Sequence, residues 1–415
     1  MRAKPLLVAI CGLSAVLSSS AIAQGGAAPP RADTAPDPAR SLAQRLELDR
    51  YKETIKGLTQ FGDRRQGTDR NASAVTWIES KLKSYGCADV ERITYDYQPA
   101  APAAPRGDSA SRAAAAAARA AAATSGQAQG GGRMRGMRTR TGVNTDSLAQ
   151  QDRTLRALNA QPTTPGMRQE VYCTKVGSAH PDEMYIIGAH MDGHGWGEAA
   201  NDDGSGTAIV MELARIFSMP DVKTDRSIRF ALWNNEETGL NGARAYVAQR
   251  QGLQGRESPA GSGKYPEPRW LGMIQHDMML FDHGMPRADG TMSPEQRPEA
   301  DVNVEFQSNS KMAAESQKLA WLFHGANEKY ATDYPAAVGP HMTNTDSAPF
   351  QDLIASISLR ENERGREIGA GWDPHWHQVT DMYSTFTDKD FRLGLNAAQT
   401  TLGAVAMLVG ATIGK

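Results

Sequence analysis

The chain has 415 residues, room for one large domain or two medium ones. Its composition, 40% hydrophobic and 22% charged, is that of a globular protein. A formal net charge of -2 is neutral on nucleic acids, and with no long basic helix and no stacking motif nothing favours such a partner.

In chain order, the first feature is a basic start at Arg2 and Lys4, an apolar run from Pro5 to Leu17, and small residues at Ala21-Ile22-Ala23. This pattern predicts a secretory signal peptide over residues 1–23 and a mature chain beginning near Gln24, hence export to a periplasmic or extracellular compartment. The run is too short for a membrane anchor, and no later segment is long and apolar enough to span a bilayer. Residues 24–41, rich in Ala, Pro, Asp and Arg, read as a flexible leader. The remainder, 42–415, reads as a single catalytic domain with a low-complexity interruption at 99–165.

Helices are expected over Leu46 to Phe61 and Ala72 to Tyr85, the second with Ala74, Trp77, Ile78 and Leu82 at core-facing spacing and a stop at Gly86. Val90 to Tyr97 alternates as a strand does. The stretch from Pro99 to about Pro165 contains an Ala, Gly and Arg tract with almost no aromatic or branched residues. It is expected to be a mostly disordered insertion between two strands, with room for a floating helix over Ser111 to Ala123. Of three cysteines, Cys11 leaves with the signal; Cys87 and Cys173 are equally compatible with a disulfide and with two buried thiols.

From Arg168 the pattern becomes regular. Strands are expected at Gln169 to Lys175, Met184 to Ala189, Ser227 to Trp233, Trp270 to His276 and Ile354 to Leu359. Helices are expected at Gly206 to Ser218, Asn241 to Arg250, Lys311 to Lys329 and Asp388 to Leu408. Continuous apolar runs such as "MYIIGA" and "IRFALW" suit strands buried on both faces. The alternation predicts an α/β fold: a mixed, largely parallel central sheet with helices on both faces. In such sheets the binding crevice lies off the carboxyl ends of the strands.

Those ends carry acids and histidines. "YIIGA" leads to His190 and Asp192; "IRFALW" leads to Asn234-Asn235-Glu236-Glu237; "MIQHD" supplies Asp277; "DPHWHQVTD" supplies His375, His377 and Asp381; and the loop after Asp192 adds Asp202 and Asp203. One such end would be an ordinary solvated loop, but four on one rim are hard to explain as surface. Histidine and carboxylate without cysteine is the donor set of a catalytic zinc site. In His-x-Asp the Asp lies on the same side of an extended segment as the His and can steer its ring. Of two adjacent glutamates, one can coordinate while the other takes a proton from water.

The ordered set His-x-Asp, Asn-Asp-Asp-Gly-Ser-Gly, Asn-Glu-Glu-x-Gly, Asp, and Trp-His-Gln-x-x-Asp resembles the M28 family of zinc peptidases, which includes secreted bacterial aminopeptidases. The resemblance covers Leu46 to Tyr97 loosely and Gln169 to Leu408 well, and omits the insertion. It implies the zinc-exopeptidase (phosphorylase/hydrolase-like) fold and two Zn2+ ions per chain. His190 and Asp277 would hold one ion, Glu237 and His377 the other, and Asp202 would bridge them. Asp192 would steer His190, Glu236 would be the general base, and Asp203 would be a structural neighbour after a peptide that is often cis in the family. "TDSAPF", Thr345 to Phe350, resembles a family segment beside the site. One departure is Trp376, where relatives often carry a Tyr that helps hold the oxyanion.

Competing residues are weighed against this set. His194 sits among glycines and reads as a loop or rim residue; His375 shares a side with His377; His276 points to the face opposite Asp277; and Asp282 lies beyond its strand. Pocket walls are expected from Gly255 to Pro268 and Asp282 to Arg297. The implied function is a secreted dizinc aminopeptidase acting on peptide or protein N-termini. A glutaminyl-cyclase-like transferase and a carboxypeptidase or dipeptidase are the alternatives on the same scaffold.

Overall fold

The strands that are apolar at every position become the middle of the sheet, because each buries both faces. Along β3 (His180–His190) and β5 (Arg226–Trp233), Ile187, Ala189, Phe230 and Leu232 face one hydrophobic core, whereas Ile186, Ala231 and Trp233 face another. These strands belong to a computed structural model that describes residues 37–99, 142–282, 302–340, 344–361 and 373–414. The expected signal peptide, most of the leader, the Ala/Gly/Arg tract with its floating helix, His283 and His341 lie outside the described residues. Asp37 onward forms one compact unit.

The chain runs α1 (Pro38–Ala43), α2 (Leu48–Thr59), α3 (Asp69–Ser84), β1 (Ala88–Tyr97), α4 (Arg153–Asn159), β2 (Gly166–Lys175), β3, α5 (Gly204–Phe217), β4 (Val222–Lys223), β5, α6 (Asn241–Arg250), β6 (Arg269–His276), β7 (Val302–Glu305), α7 (Ala313–Tyr330), β8 (Ala336–Gly339), β9 (Ala355–Arg360), α8 (Asp388–Leu408) and β10 (Thr412–Ile413). Eight strands form a sheet in the order β1-β2-β5-β3-β6-β9-β7-β8. β3 pairs in parallel with β5 and β6, β6 with β9, and β7 with β8; the β1-β2, β2-β5 and β7-β9 pairings are antiparallel. The mixed, mostly parallel sheet expected from the alternation is what forms, with helices on both faces. Helices α2, α3, α5, α7 and α8 share the larger core, and α6 packs Ala243 and Tyr246 into the smaller one with Trp233, Trp270 and Phe350.

Helix α5 is buried on almost every side, as its nearly uniform apolar sequence requires. Its N-cap is Asp203, whose carboxylate accepts from the Gly206 amide. Thr387 and Asp390 close a capping box at the start of α8. Cys87 and Cys173 are joined in a disulfide between the turn after α3 and strand β2, so the open alternative resolves as a bond.

The structure differs from the sequence-based expectation in the connections. Residues 37–41, read as leader, enter α1, which buries Ala39, Leu42 and Ala43. Residues 142–165, read as part of the insertion, contain a 3-10 turn at Ser147–Ala149 and helix α4, capped by Asp146 and Asp152. Both helices are one or two turns long and bury few apolar side chains, so they leave no periodic signal. Strands β4, β7, β8 and β10 have two to four residues and escaped the alternation test for the same reason.

Candidate active site

Three neighbouring parallel strands deliver the chemistry at their carboxyl ends. β3 finishes at His190, β5 runs into Asn234-Asn235-Glu236-Glu237, and β6 is followed by Asp277. The loop between β3 and α5 supplies Asp202, and the loop before α8 supplies His377.

The side chains converge in two groups. His190 Nε2 lies 3.2 Å from Asp202 Oδ1 and 3.8 Å from Asp277 Oδ1. His377 Nε2 lies 3.1 Å from Asp202 Oδ2 and 2.8 Å from Glu237 Oε2. Asp202 therefore reaches both imidazoles, one with each oxygen. In each trio, His190-Asp202-Asp277 and His194-Glu237-His377, the donor atoms lie within 4.8 Å of one another.

Asp192 meets His190 chiefly through its backbone. The His190 Nδ1 atom is 2.9 Å from the Asp192 backbone carbonyl, while the carboxylate is 3.8 Å away. A carbonyl can only accept, so this contact puts a hydrogen on Nδ1 and turns Nε2 toward the acids. The Asp192 carboxylate instead accepts from the Glu236 amide at 3.0 Å, which pins the start of the Glu236-Glu237 turn. Asp203 follows a cis peptide and binds three segments together: its oxygens accept from His190 N (3.2 Å), Gly206 N (2.9 Å) and Met278 N (3.1 Å). Asp381 accepts from the amides of Asn201 (2.7 Å) and Asp202 (3.0 Å) and so sets the backbone of the shared carboxylate.

The competing residues separate. His375 turns its Nδ1 to Thr380 Oγ1 at 2.9 Å. His276 points to the helix side, with Nε2 2.8 Å from Thr401 Oγ1, and burial pushes its pKa down to about 4. Asp282 bonds the Tyr334 hydroxyl instead of joining the cleft. His194, read as a rim residue, lies inside the cleft with Nε2 2.9 Å from Glu237 Oε2. Trp376 stacks on the His377 ring at 4.1 Å and 26°.

Electrostatically the cleft holds more acid than base. Burial, followed by Asp346, Glu237 and Asp277, raises the Glu236 carboxyl well above its ordinary range despite the favourable His190. Burial raises Asp192 to about 6. Burial also disfavours charge on His377, but Glu237 and Asp202 outweigh it and raise that imidazole to about 11. His190 is raised in the same way, burial being outweighed by Glu236, Asp202 and Asp277. Asp202 is lowered, because its bonds to His190 and His377 overcome burial.

Several parts of this scaffold carry no sequence signal. Buried Arg64 donates to the carbonyls of Met191, Glu198 and Ala199, fastening both ends of the glycine-rich loop. Buried Arg360, at the end of β9, is ion-paired with Asp277 and lies 3.8 Å from Glu305. The glycines of the loop are there for contact as well as for turning. Gly195 has φ +103°, and a Cβ on it would lie 2.4 Å from the His377 carbonyl carbon and oxygen. The end of the insertion also reaches the site: Asn144 N donates to His377 O at 2.9 Å, Gln378 Nε2 to Gly142 O at 3.0 Å, and Asn159 Nδ2 to Gly197 O at 2.8 Å. A cavity of about 330 Å³ opens beside the acids, lined by Arg65, Asn144, Thr145, His194, Trp196 and Glu237 among others. Residues 255–268, expected as pocket walls, do not line it, and 283–297 lie outside the described residues.

Carboxylates and imidazoles gathered at the strand ends of a mixed α/β sheet define the metallopeptidase class. The chain belongs to peptidase family M28, whose family model matches residues 170–399, more than half of its length. It is 43% identical over 68 residues to aminopeptidase YwaD of Bacillus subtilis, a match covering 16% of this chain and 14% of the relative. It is 35% identical over 71 residues to carboxypeptidase Q of Xenopus laevis, covering 17% and 15%. The matched segment thus spans about a seventh of those relatives' length. Among solved structures, the Bacillus subtilis zinc aminopeptidase BSAP is similar with a TM-score of 0.57 at 18% identity, over 88% of this chain and 95% of that one. Porphyromonas gingivalis glutaminyl cyclase is similar with a TM-score of 0.53 at 14% identity, over 88% and 99%. These two likenesses concern the fold.

Proposed function

We propose that this chain is an exported dizinc aminopeptidase that hydrolyses N-terminal residues from peptides, built as one catalytic domain behind a signal peptide and leader. The observation that carries the reading is Asp202, whose two oxygens lie 3.2 and 3.1 Å from His190 and His377. A carboxylate aimed at two imidazoles from opposite oxygens is what a bridging ligand requires. The donor set fits zinc: nitrogen and carboxylate oxygen, no thiolate. His194 Nε2, Glu237 Oε1 and His377 Nδ1 are buried without a hydrogen-bond partner, and the surplus of buried carboxylates favours a cation among them. His190, Asp202 and Asp277 would hold one ion, and Asp202, Glu237 and His377 the other.

Bound zinc would acidify a water and polarise the scissile carbonyl. Glu236, next to Glu237 and in neither donor trio, is placed to take the water's proton and hand it to the leaving amine. The Asp192 carboxylate fixes the Glu236 backbone for that transfer. Trp376, flat against His377, orients that imidazole rather than reaching over the cleft as a hydroxyl donor.

The test is a panel of free-amine and N-blocked peptides, with and without a chelator, alongside zinc counted per chain. Chelator-sensitive cleavage of free-amine substrates is expected. Cleavage of N-blocked substrates alone would point to carboxypeptidase or dipeptidase action. One tightly held zinc with cyclisation of N-terminal glutamine and no hydrolysis would point to the transferase.

A further inference from the structure

We infer that His194 is an additional protein ligand of the ion held by Glu237 and His377, giving the two halves of the cleft unequal coordination. The inference rests on the dizinc reading and goes beyond the five ligands that reading uses. His194 Nε2 lies 2.9 Å from Glu237 Oε2, the same oxygen that His377 Nε2 approaches at 2.8 Å. The two rings meet edge to face, with centroids 4.5 Å apart at 79°. Despite its short distance to Glu237, His194 Nε2 makes no hydrogen bond, and its side chain is only 14% exposed. An imidazole nitrogen directed at a carboxylate and a second imidazole, outside hydrogen-bond geometry, is placed as a lone-pair donor would be.

The placement belongs to the scaffold and is not a loop-tip accident. Arg64 grips the loop through the carbonyls of Met191, Glu198 and Ala199, and Asn159 holds Gly197 O. Beside His194, Gly195 packs on the His377 backbone, so the two imidazoles share one support. With Asp202, Glu237, His377 and His194 around it, the second ion has four protein residues. The first, with His190, Asp202 and Asp277, has three. Four protein ligands are typical of a filled tetrahedral site, and three leave a position for water or substrate. The assignment therefore places the open position on the His190 side and gives the more exposed ion an extra anchor.

Wild type, His194→Ala and His194→Gln are compared for zinc content and for zinc affinity by competition with a chelating dye, and each is titrated with Co2+ while the visible absorption is followed. Wild type is expected to hold two ions. The variants should hold the first ion unchanged and bind the second at least tenfold more weakly, with the cobalt spectrum altered only for the second equivalent. Retention of the first ion and an unchanged circular dichroism spectrum verify folding. Two ions bound with wild-type affinity and spectrum would overturn the assignment. If that result came with a lowered kcat, His194 would contact substrate instead. A wild-type protein holding fewer than two ions would sink the dizinc reading itself, an outcome distinct from failure of the His194 assignment alone.

Discussion

The two halves of the cleft use similar side chains on different supports. On one side, His190 and Asp277 stand at the ends of paired parallel strands, His190 is 1% exposed, and Asp203 and Arg360 lock them from behind. On the other, Glu237, His377 and His194 come from loops and are partly exposed, with Asn235 and His377 at positive φ. Strand-borne ligands inherit their positions from the sheet ladder. The loop-borne candidates depend on bonds from loop to loop, such as Asn144 N to His377 O and the Asn159 side chain to Gly197 O. The sheet thus sets one flank of the site, and contacts between loops set the flank that faces the cavity.

The largest effect should come from Glu236, the proposed general base. Glu236→Gln is expected to lower kcat by on the order of 10² to 10⁴ with both ions retained, measured by steady-state kinetics and elemental analysis. Full activity in that variant would remove Glu236 from the role of base. On the strand side, Arg360→Leu removes the guanidinium that pairs with buried Asp277. It should cost about 3–5 kcal/mol in urea unfolding, as the loss of one partner of a buried pair does. On the loop side, Asn159→Ala removes bonds to Asp63 N and Gly197 O and should cost about 1–3 kcal/mol. An equal cost for the two variants would erase the contrast between the flanks. Stepwise chelation should release the two ions at different chelator concentrations; simultaneous loss of both at one concentration would argue against two unequal flanks.

The smallest effect concerns pH. Buried Glu170, under the Asn234 turn, is raised well above its ordinary range, chiefly by burial. Below the unfolded carboxyl value both states hold the proton and its stabilising effect is complete. As pH rises through the window up to the folded value, the unfolded chain releases the proton first, so stability falls with rising pH. Glu170→Gln should flatten that decline in unfolding experiments from pH 5 to 8, whereas a parallel decline in both proteins would exclude Glu170 as its source.

Much of the candidate site was legible because its side chains sit where a parallel sheet must present them. His190, Asp277 and the Glu236-Glu237 pair each follow a recognisable apolar strand, and Asp202 precedes an unmistakable buried helix. His377 needed the resemblance to family M28, since His375 sits on the same side by periodicity alone. The nearness of His194 to His377 was not legible, because glycine neighbours signal a turn and only the fold brings that turn against His377.

By itself the sequence determined the alternation of strands and helices, the apolar faces they bury, and the residue types waiting at the strand ends. These follow from local periodicity, which neighbouring residues carry in full. Only the tertiary structure decided that Asp202 meets two histidines, that the Asp192 carbonyl rather than its carboxylate touches His190 Nδ1, that Arg64 and Arg360 brace the cleft, and that residues 142–165 belong to its wall. Apart from the His190–Asp192 contact, which spans two residues, each of these joins segments distant in sequence through a few polar groups. Such contacts leave no period to read, and they exist only once the sheet has brought the loops together.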